Sequence, residues 1–173
     1  MITLVLGGAR SGKSSYAEKA ADQWLDGTPK GERVYLATAQ AFDEEMSKRV
    51  EAHKTRRGKN WRTIEEPLQL TQTLTREMAE KRLILVDCLT LWLSNLMLSD
   101  AEVNREIDGL CEFLKNATGD FLIVSNEVGN GIVPENKLAR EFRDIQGIAN
   151  QRIAEITDKA VLITAGLPLV LKG

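Results

Sequence analysis

The chain has 173 residues, 43% of them hydrophobic and 28% charged, with a formal net charge of −2. That length suits one domain burying about 70% of its unfolded surface, and the balanced charge excludes a global electrostatic pull toward nucleic acid or an anionic membrane. Cys88 and Cys111 stand far apart with no Cys-x-x-Cys spacing, which argues against structural zinc or a disulfide framework and for buried thiols in a reducing cytoplasm.

In chain order, residues 2–6 (Ile-Thr-Leu-Val-Leu) open a series of short β-type runs that continues at 33–38, 83–87, 121–126 and 160–164. Each is nearly continuous in apolar character, the pattern of parallel strands covered on both faces. Residues 14–25 place Tyr16, Ala17, Ala20, Ala21 and Trp24 at helical spacing. The segment 43–54 starts acidic and ends basic, which suits a helix dipole. Residues 68–82 and 103–116 are amphipathic helix candidates. The segment 89–98 is apolar almost all round and reads as a buried helix or a subunit contact. Pro134 fits a helix start. The stretch 160–171 is broken by Gly166 and Pro168 and is too short to span a bilayer. This alternation predicts an α/β fold, a mostly parallel sheet with helices on both faces, formed by residues 1–173 as a single domain.

Directly after the first run comes Gly7-Gly8-Ala9-Arg10-Ser11-Gly12-Lys13-Ser14. The spacing G-x-x-x-x-G-K-S puts glycine where the backbone turns tightly and faces its N–H groups toward an anion. Lys13 can reach the outer phosphates of a nucleoside triphosphate, and Ser14 can ligate magnesium. The bland alternative is a Gly-rich turn, but strand, loop and helix follow in the order a phosphate loop needs.

Ligands of open α/β sheets collect beyond the carboxyl ends of the strands. Thr38, Asp87 and Asn126-Glu127 stand at such ends. Asp87 closes Leu-Ile-Leu-Val-Asp and can hold magnesium opposite Ser14, or simply cap the following helix. His53 is the one histidine, and Lys54, Arg56, Arg57, Lys59 and Arg62 follow it closely. A basic run is usually a solvated face, and a lone histidine is usually structural. Beside a triphosphate site, however, a neutral imidazole is a competent nucleophile toward phosphorus near pH 7.

Several segments together resemble the bifunctional adenosylcobinamide kinase/adenosylcobinamide-phosphate guanylyltransferase family of cobalamin biosynthesis. They are the phosphate loop, Tyr35-Leu36-Ala37-Thr38-Ala39-Gln40, Asp43-Glu44-Glu45-Met46, His53-Lys54, Trp61-Arg62-Thr63 and Val86-Asp87-Cys88-Leu89-Thr90-Leu91-Trp92. The most specific is Ser125-Asn126-Glu127-Val128-Gly129-Asn130-Gly131-Ile132-Val133-Pro134-Glu135-Asn136, which runs on through Arg140-Glu141-Phe142-Arg143-Asp144 to Gln151. The resemblance implies a RecA-like P-loop sheet, a homotrimer with sites near subunit contacts, and Mg²⁺ as cofactor. It implies ATP or GTP as phosphoryl donor to adenosylcobinamide, then GTP as donor of GMP, with His53 carrying GMP covalently. Its GTP contacts fall on Gly7, Gly8, Ala9, Arg10, Ser11, Gly12, Lys13, Ser14, Ala37, Thr38, Ala39, Lys54, Thr55, Arg56, Arg57, Glu65 and Asp87. Lys13 and His53 are its expected catalytic residues, and Ser14 and Asp87 its magnesium ligands. Glu127 and Arg143 are the first candidates for the corrinoid or subunit-contact side of the cleft. A P-loop kinase lacking guanylyl transfer, or a nucleotide-binding switch, are the alternatives left by the motifs alone.

Overall fold

The computed structural model describes residues 1–40 and 60–173, so the helix expected over 43–54 lies outside the described residues. Among the described residues seven strands form one sheet: β1 (Ile2–Gly7), β2 (Glu32–Ala37), β3 (Arg62–Glu65), β4 (Arg82–Asp87), β5 (Asp120–Asn126), β6 (Lys159–Thr164) and β7 (Leu167–Lys172). Their spatial order is β3-β2-β4-β5-β1-β6-β7. Every neighbouring pair is parallel except β6–β7. The helices described are α1 (Lys13–Gly27), α2 (Leu70–Glu77), α3 (Leu89–Met97), α4 (Val103–Asn116) and α5 (Lys137–Ile156).

The continuous apolar runs are explained by two buried layers. Successive strand side chains point to opposite faces. Leu4, Leu6, Val34, Leu36, Ile84, Val86, Phe121 and Ile123 pack on one side with Leu70, Leu74, Trp92, Leu93, Ile107, Leu110, Leu114 and Ile153 from α2–α5. Val5, Tyr35, Leu85, Leu122, Val124 and Ile163 face the other side, where α1 contributes Ala17 and Ala21. Small residues on α1 let it lie close over the sheet, which brings its first turn against the ends of β1 and β4.

Three expectations are corrected in detail. Helix α5 starts at Lys137, not at Pro134, because the Asn136 side chain accepts from Ala139 N at 3.2 Å and caps it. Helix α2 spans Leu70–Glu77 rather than 68–82. Its entry is set by Glu66 Oε1, which accepts from Leu68 N and Gln69 N at 3.1 and 2.8 Å, and the chain then turns through Lys81 at φ 55° into β4. Strands β3 and β7 had no place in the five-strand reading. Both are edge strands: β3 is short and largely polar, whereas β7 is apolar but follows β6 within one stretch interrupted by Gly166 and Pro168, is exposed along its length and pairs Pro168 with Ile163. Helix α3 is buried within its own chain through Leu89, Trp92, Leu93 and Leu96, while Leu98 just beyond it is 68% exposed. No described helix is long and apolar enough to cross a membrane.

Candidate active site

The sheet register aligns four of the expected site positions along one edge. Glu65 pairs with Ala37, Ala37 with Asp87, Asp87 with Val124, and Gly7 with Asn126. These are the carboxyl ends of β3, β2, β4, β5 and β1, which is where a parallel sheet gathers its ligands.

At this edge the chain leaves β1 into the phosphate loop. Gly7 has φ +156°, and a Cβ there would meet Ile163 O at 2.5 Å and Ser11 Oγ at 2.6 Å. Gly12 has φ +101° and lies so near the β6–β7 turn that a Cβ would sit 3.3 Å from Gly166 Cα. Both positions therefore require glycine. The turn braces the loop in return, Gly166 N donating to Ser11 O at 2.8 Å. That hairpin support was not legible in the motif. Helix α1 opens at Lys13 with Gly12 as its N-cap and no side-chain cap, so its first amides and positive dipole end are left to an anion. Ser11 Oγ is buried without a hydrogen-bond partner among the described residues.

Lys13 is 8% exposed, and its Nζ donates to Gly8 O at 2.6 Å. Burial holds its pKa below the ordinary lysine value, against the opposing pull of the Asp87 carboxylate. The ammonium is thus folded onto its own loop, with a carbonyl standing in for the phosphate oxygens that would better satisfy it.

Across from the loop, Asp87 Oδ2 accepts from Ser14 Oγ at 3.1 Å and from Tyr35 Oη at 2.7 Å. The two expected magnesium ligands are therefore hydrogen-bonded neighbours. A hydroxyl and a carboxylate are hard oxygen donors. Two protein oxygens suit Mg²⁺, which keeps waters and substrate phosphates in its remaining positions. One hydroxyl and one carboxylate make a donor set that fits a metal arriving with the nucleotide.

The next residue is chemically silent: burial, reinforced by the Asp87 charge, pushes the Cys88 thiol up to about 11, so it stays protonated at neutral pH and is not a nucleophile. Thr38 is fully buried. Its hydroxyl donates to Cys88 O at 2.7 Å and accepts from Cys88 N at 2.9 Å, and Asn95 Nδ2 donates to Thr38 O at 2.8 Å. Its side chain thus locks the β2 and β4 ends together. Ala39 follows it, half-buried.

Beyond β5 a second polar layer sets the entry to the 126–134 loop. Ser125 Oγ, Gln146 Nε2 and Asn150 Oδ1 are linked by bonds of 2.7 to 3.0 Å, all buried. Asn126 is pinned at both backbone groups: its N–H donates to Thr90 Oγ1 at 2.8 Å, and its carbonyl accepts from Asn150 Nδ2 at 3.0 Å. Glu127 and Arg143 both engage Gly129, Glu127 Oε1 accepting from its N–H at 2.6 Å and Arg143 donating to its carbonyl at 2.8 Å. They brace the loop, while Ile132 and Val133 at its tip are 97% and 58% exposed.

His53, Lys54, Thr55, Arg56 and Arg57 lie outside the described residues. Tyr35, Thr90 and Asn150 are site residues that motif reading passed over. Tyr35 carried one usable signal, a hydroxyl within the apolar run 34–37 of a strand ending at this edge.

Comparison with known proteins agrees with this geometry. Residues 3–171 match the family model described as cobinamide kinase / cobinamide phosphate guanyltransferase. The bifunctional adenosylcobalamin biosynthesis protein CobP of Pseudomonas aeruginosa is 47% identical over 100% of this chain and 98% of its own length. The bifunctional adenosylcobalamin biosynthesis protein CobU of Salmonella typhimurium is 36% identical over 99% and 100%. Among solved structures, the flagellar accessory protein FlaH of Methanocaldococcus jannaschii superposes with a TM-score of 0.54 at 13% identity, covering 99% of this chain and 77% of that one. A Pyrococcus horikoshii protein gives 0.54 at 10%, covering 99% and 86%. Those two likenesses are of fold alone, the mostly parallel RecA-like P-loop sheet. The family match spans both the phosphate loop and the 126–134 block, and the relatives align from end to end: the chain belongs to the cobinamide kinase / cobinamide phosphate guanyltransferase family.

Proposed function

We propose that this chain catalyses two successive reactions on one corrinoid side arm. In the first, the γ-phosphoryl group of ATP or GTP passes to the aminopropanol hydroxyl of adenosylcobinamide; the hydroxyl oxygen bonds to phosphorus and nucleoside diphosphate leaves. In the second, His53 attacks the α-phosphorus of GTP, pyrophosphate leaves, and an oxygen of adenosylcobinamide phosphate displaces the histidine to give adenosylcobinamide-GDP. The observation that carries this reading is the convergence of Lys13, Ser14 and Asp87 at one sheet edge in a chain of this family.

The residues divide the work as follows. The loop amides from Gly7 to Ser14 seat the phosphates, and Lys13 leaves Gly8 O to neutralise charge on the outer ones. Ser14 and Asp87 would hold magnesium, which supplies charge neutralisation between phosphates when bound. Ala37, Thr38, Ala39 and Glu65 border the nucleotide from the β2–β3 side, and Lys54, Thr55, Arg56 and Arg57 stabilise the pyrophosphate that leaves the α-phosphorus as His53 attacks it. We place the reaction in the cytoplasm, where nucleoside triphosphates are supplied.

The test is product analysis. With adenosylcobinamide, GTP and Mg²⁺, adenosylcobinamide phosphate is expected first, followed by adenosylcobinamide-GDP and one pyrophosphate per product. Phosphate ester without the GDP product would reduce the reading to a kinase.

A homotrimer is part of the same proposal. Strand β7 presents Leu167, Leu169, Val170 and Leu171 at 72%, 58%, 52% and 55% exposure on a sheet edge with no further strand among the described residues. Such an edge is a template for association unless covered. Sedimentation velocity should find a trimer, and Leu169→Glu should shift it to monomer. A wild-type chain that sediments as a monomer would remove the assembly from the proposal.

A further inference from the structure

Tyr35 sits where a purely structural residue would not need a hydroxyl. It pairs in register with Leu85, two residues before Asp87, so its ring lies on the face of the sheet toward which Asp87 also projects. The residue is 4% exposed in the layer under α1, among Val5, Leu85 and Ala17. Its ring meets Trp61 edge-on at 6.0 Å, and Trp61 is capped in turn by the Arg33 guanidinium, 4.7 Å from the ring centroid. The phenol oxygen emerges from this braced position to donate to Asp87 Oδ2 at 2.7 Å.

Ser14 Oγ donates to that same oxygen at 3.1 Å, a longer bond. A serine hydroxyl that offers a lone pair to a cation must point its proton elsewhere, so its bond to Asp87 is conditional. The Tyr35 phenol is not one of the expected cation ligands, so its bond to Asp87 need not be surrendered when a cation arrives.

Building on the magnesium site proposed above, we propose that Tyr35 is a positioning residue: it fixes the Asp87 carboxylate so that Ser14 and Asp87 present their oxygens jointly when a nucleotide brings its cation. Partners of metal ligands typically change metal affinity or activity by about 10- to 100-fold when removed. A core tyrosine that merely satisfies its own hydroxyl predicts no change in cation dependence at all.

The experiment titrates Mg²⁺ against binding of a fluorescent GTP analogue by the full chain, with an EDTA arm and a thermal melt. For Tyr35→Phe, which deletes one oxygen and keeps the ring, the half-saturating Mg²⁺ concentration is expected to rise about tenfold. Its melting temperature and its affinity in EDTA should stay at the wild-type values. Asp87→Asn should raise the Mg²⁺ requirement at least as far, and adding Tyr35→Phe to it should have no further effect, because Tyr35 acts through that carboxylate. A normal Mg²⁺ requirement in Tyr35→Phe beside an impaired Asp87→Asn overturns the role of Tyr35 alone. Normal requirements in both variants overturn the metal site and this inference with it.

Discussion

Radiolabel from α-labelled GTP is expected to remain on the denatured wild-type protein and to vanish in His53→Ala. The bond should be acid-labile and alkali-stable, as a phosphoramidate is. Removing a nucleophile from a covalent mechanism eliminates the intermediate rather than slowing its formation slightly, so labelling and guanylyl transfer should both fall at least about a thousandfold. Phosphorylation of adenosylcobinamide should continue at a rate within a few-fold of wild type, because the phosphate loop and Asp87 are untouched. The described part of the site narrows the field of acceptors. Cys88, the soft nucleophile nearest Asp87, is buried and its pKa is about 11. Lys13, the nearest amine, is committed to phosphate charge and to Gly8 O. Full labelling of His53→Ala would end the assignment of His53.

Lys13→Ala is expected to depress both reactions together. The Lys13 ammonium is buried, and burial lowers its pKa. The sign of the linkage follows: the unfolded chain binds its proton more tightly than the folded one, so this lysine opposes folding while charged. That penalty falls as pH rises through the lowered folded value toward the ordinary 10.5. Deleting the side chain therefore should not lower the melting temperature by more than a few degrees near neutral pH. Nucleotide chemistry behaves oppositely, because triphosphate oxygens are better partners for the ammonium than Gly8 O. Losing a preorganised donor of this kind costs about 10²–10³ in rate. We expect that loss in kcat/KM for kinase and guanylyl transfer alike, read from the two product assays and accompanied by a normal melt. Unaltered rates in either reaction would detach that reaction from the phosphate loop.

The two outcomes are diagnostic as a pair. His53→Ala separates the reactions, and Lys13→Ala joins them, so a single nucleotide cradle serving two phosphorus atoms is distinguished from two independent pockets.

Much of the arrangement was legible in the amino-acid order, for a physical reason. Strands of a doubly covered parallel sheet must be apolar throughout, and five of them announced themselves in that way. Helix α4 matched its expected bounds, Val103–Asn116, because its apolar stripe is regular and its two ends leave helical geometry at once. Gly7, Gly12, Lys13 and Ser14 were legible because a phosphate loop is local: its spacing is set by the reach of backbone amides around one anion. Asp87 was legible as the acid that closes an apolar run.

Other parts depended on contacts distant in the chain. A short polar edge strand carries no apolar signal and Pro168 interrupts the apolar stretch that holds β6 and β7, so β3 and β7 were missed, although β3 sets Glu65 beside Ala37 and the β6–β7 turn holds Ser11 in place. The clasp of Thr38 on Cys88 was not legible, because the identity of its partner is a matter of strand order. Taken alone, the order of residues determined the phosphate cradle, the alternation of strand and helix, and the acids available at strand ends, since each depends on neighbours within a few positions. Only the folded sheet decided that β5 runs between β1 and β4, that Tyr35 shares an oxygen of Asp87 with Ser14, and that a C-terminal hairpin supports an N-terminal loop. Those are pairings between segments far apart in sequence, selected by the burial of both sheet faces at once rather than by any local pattern.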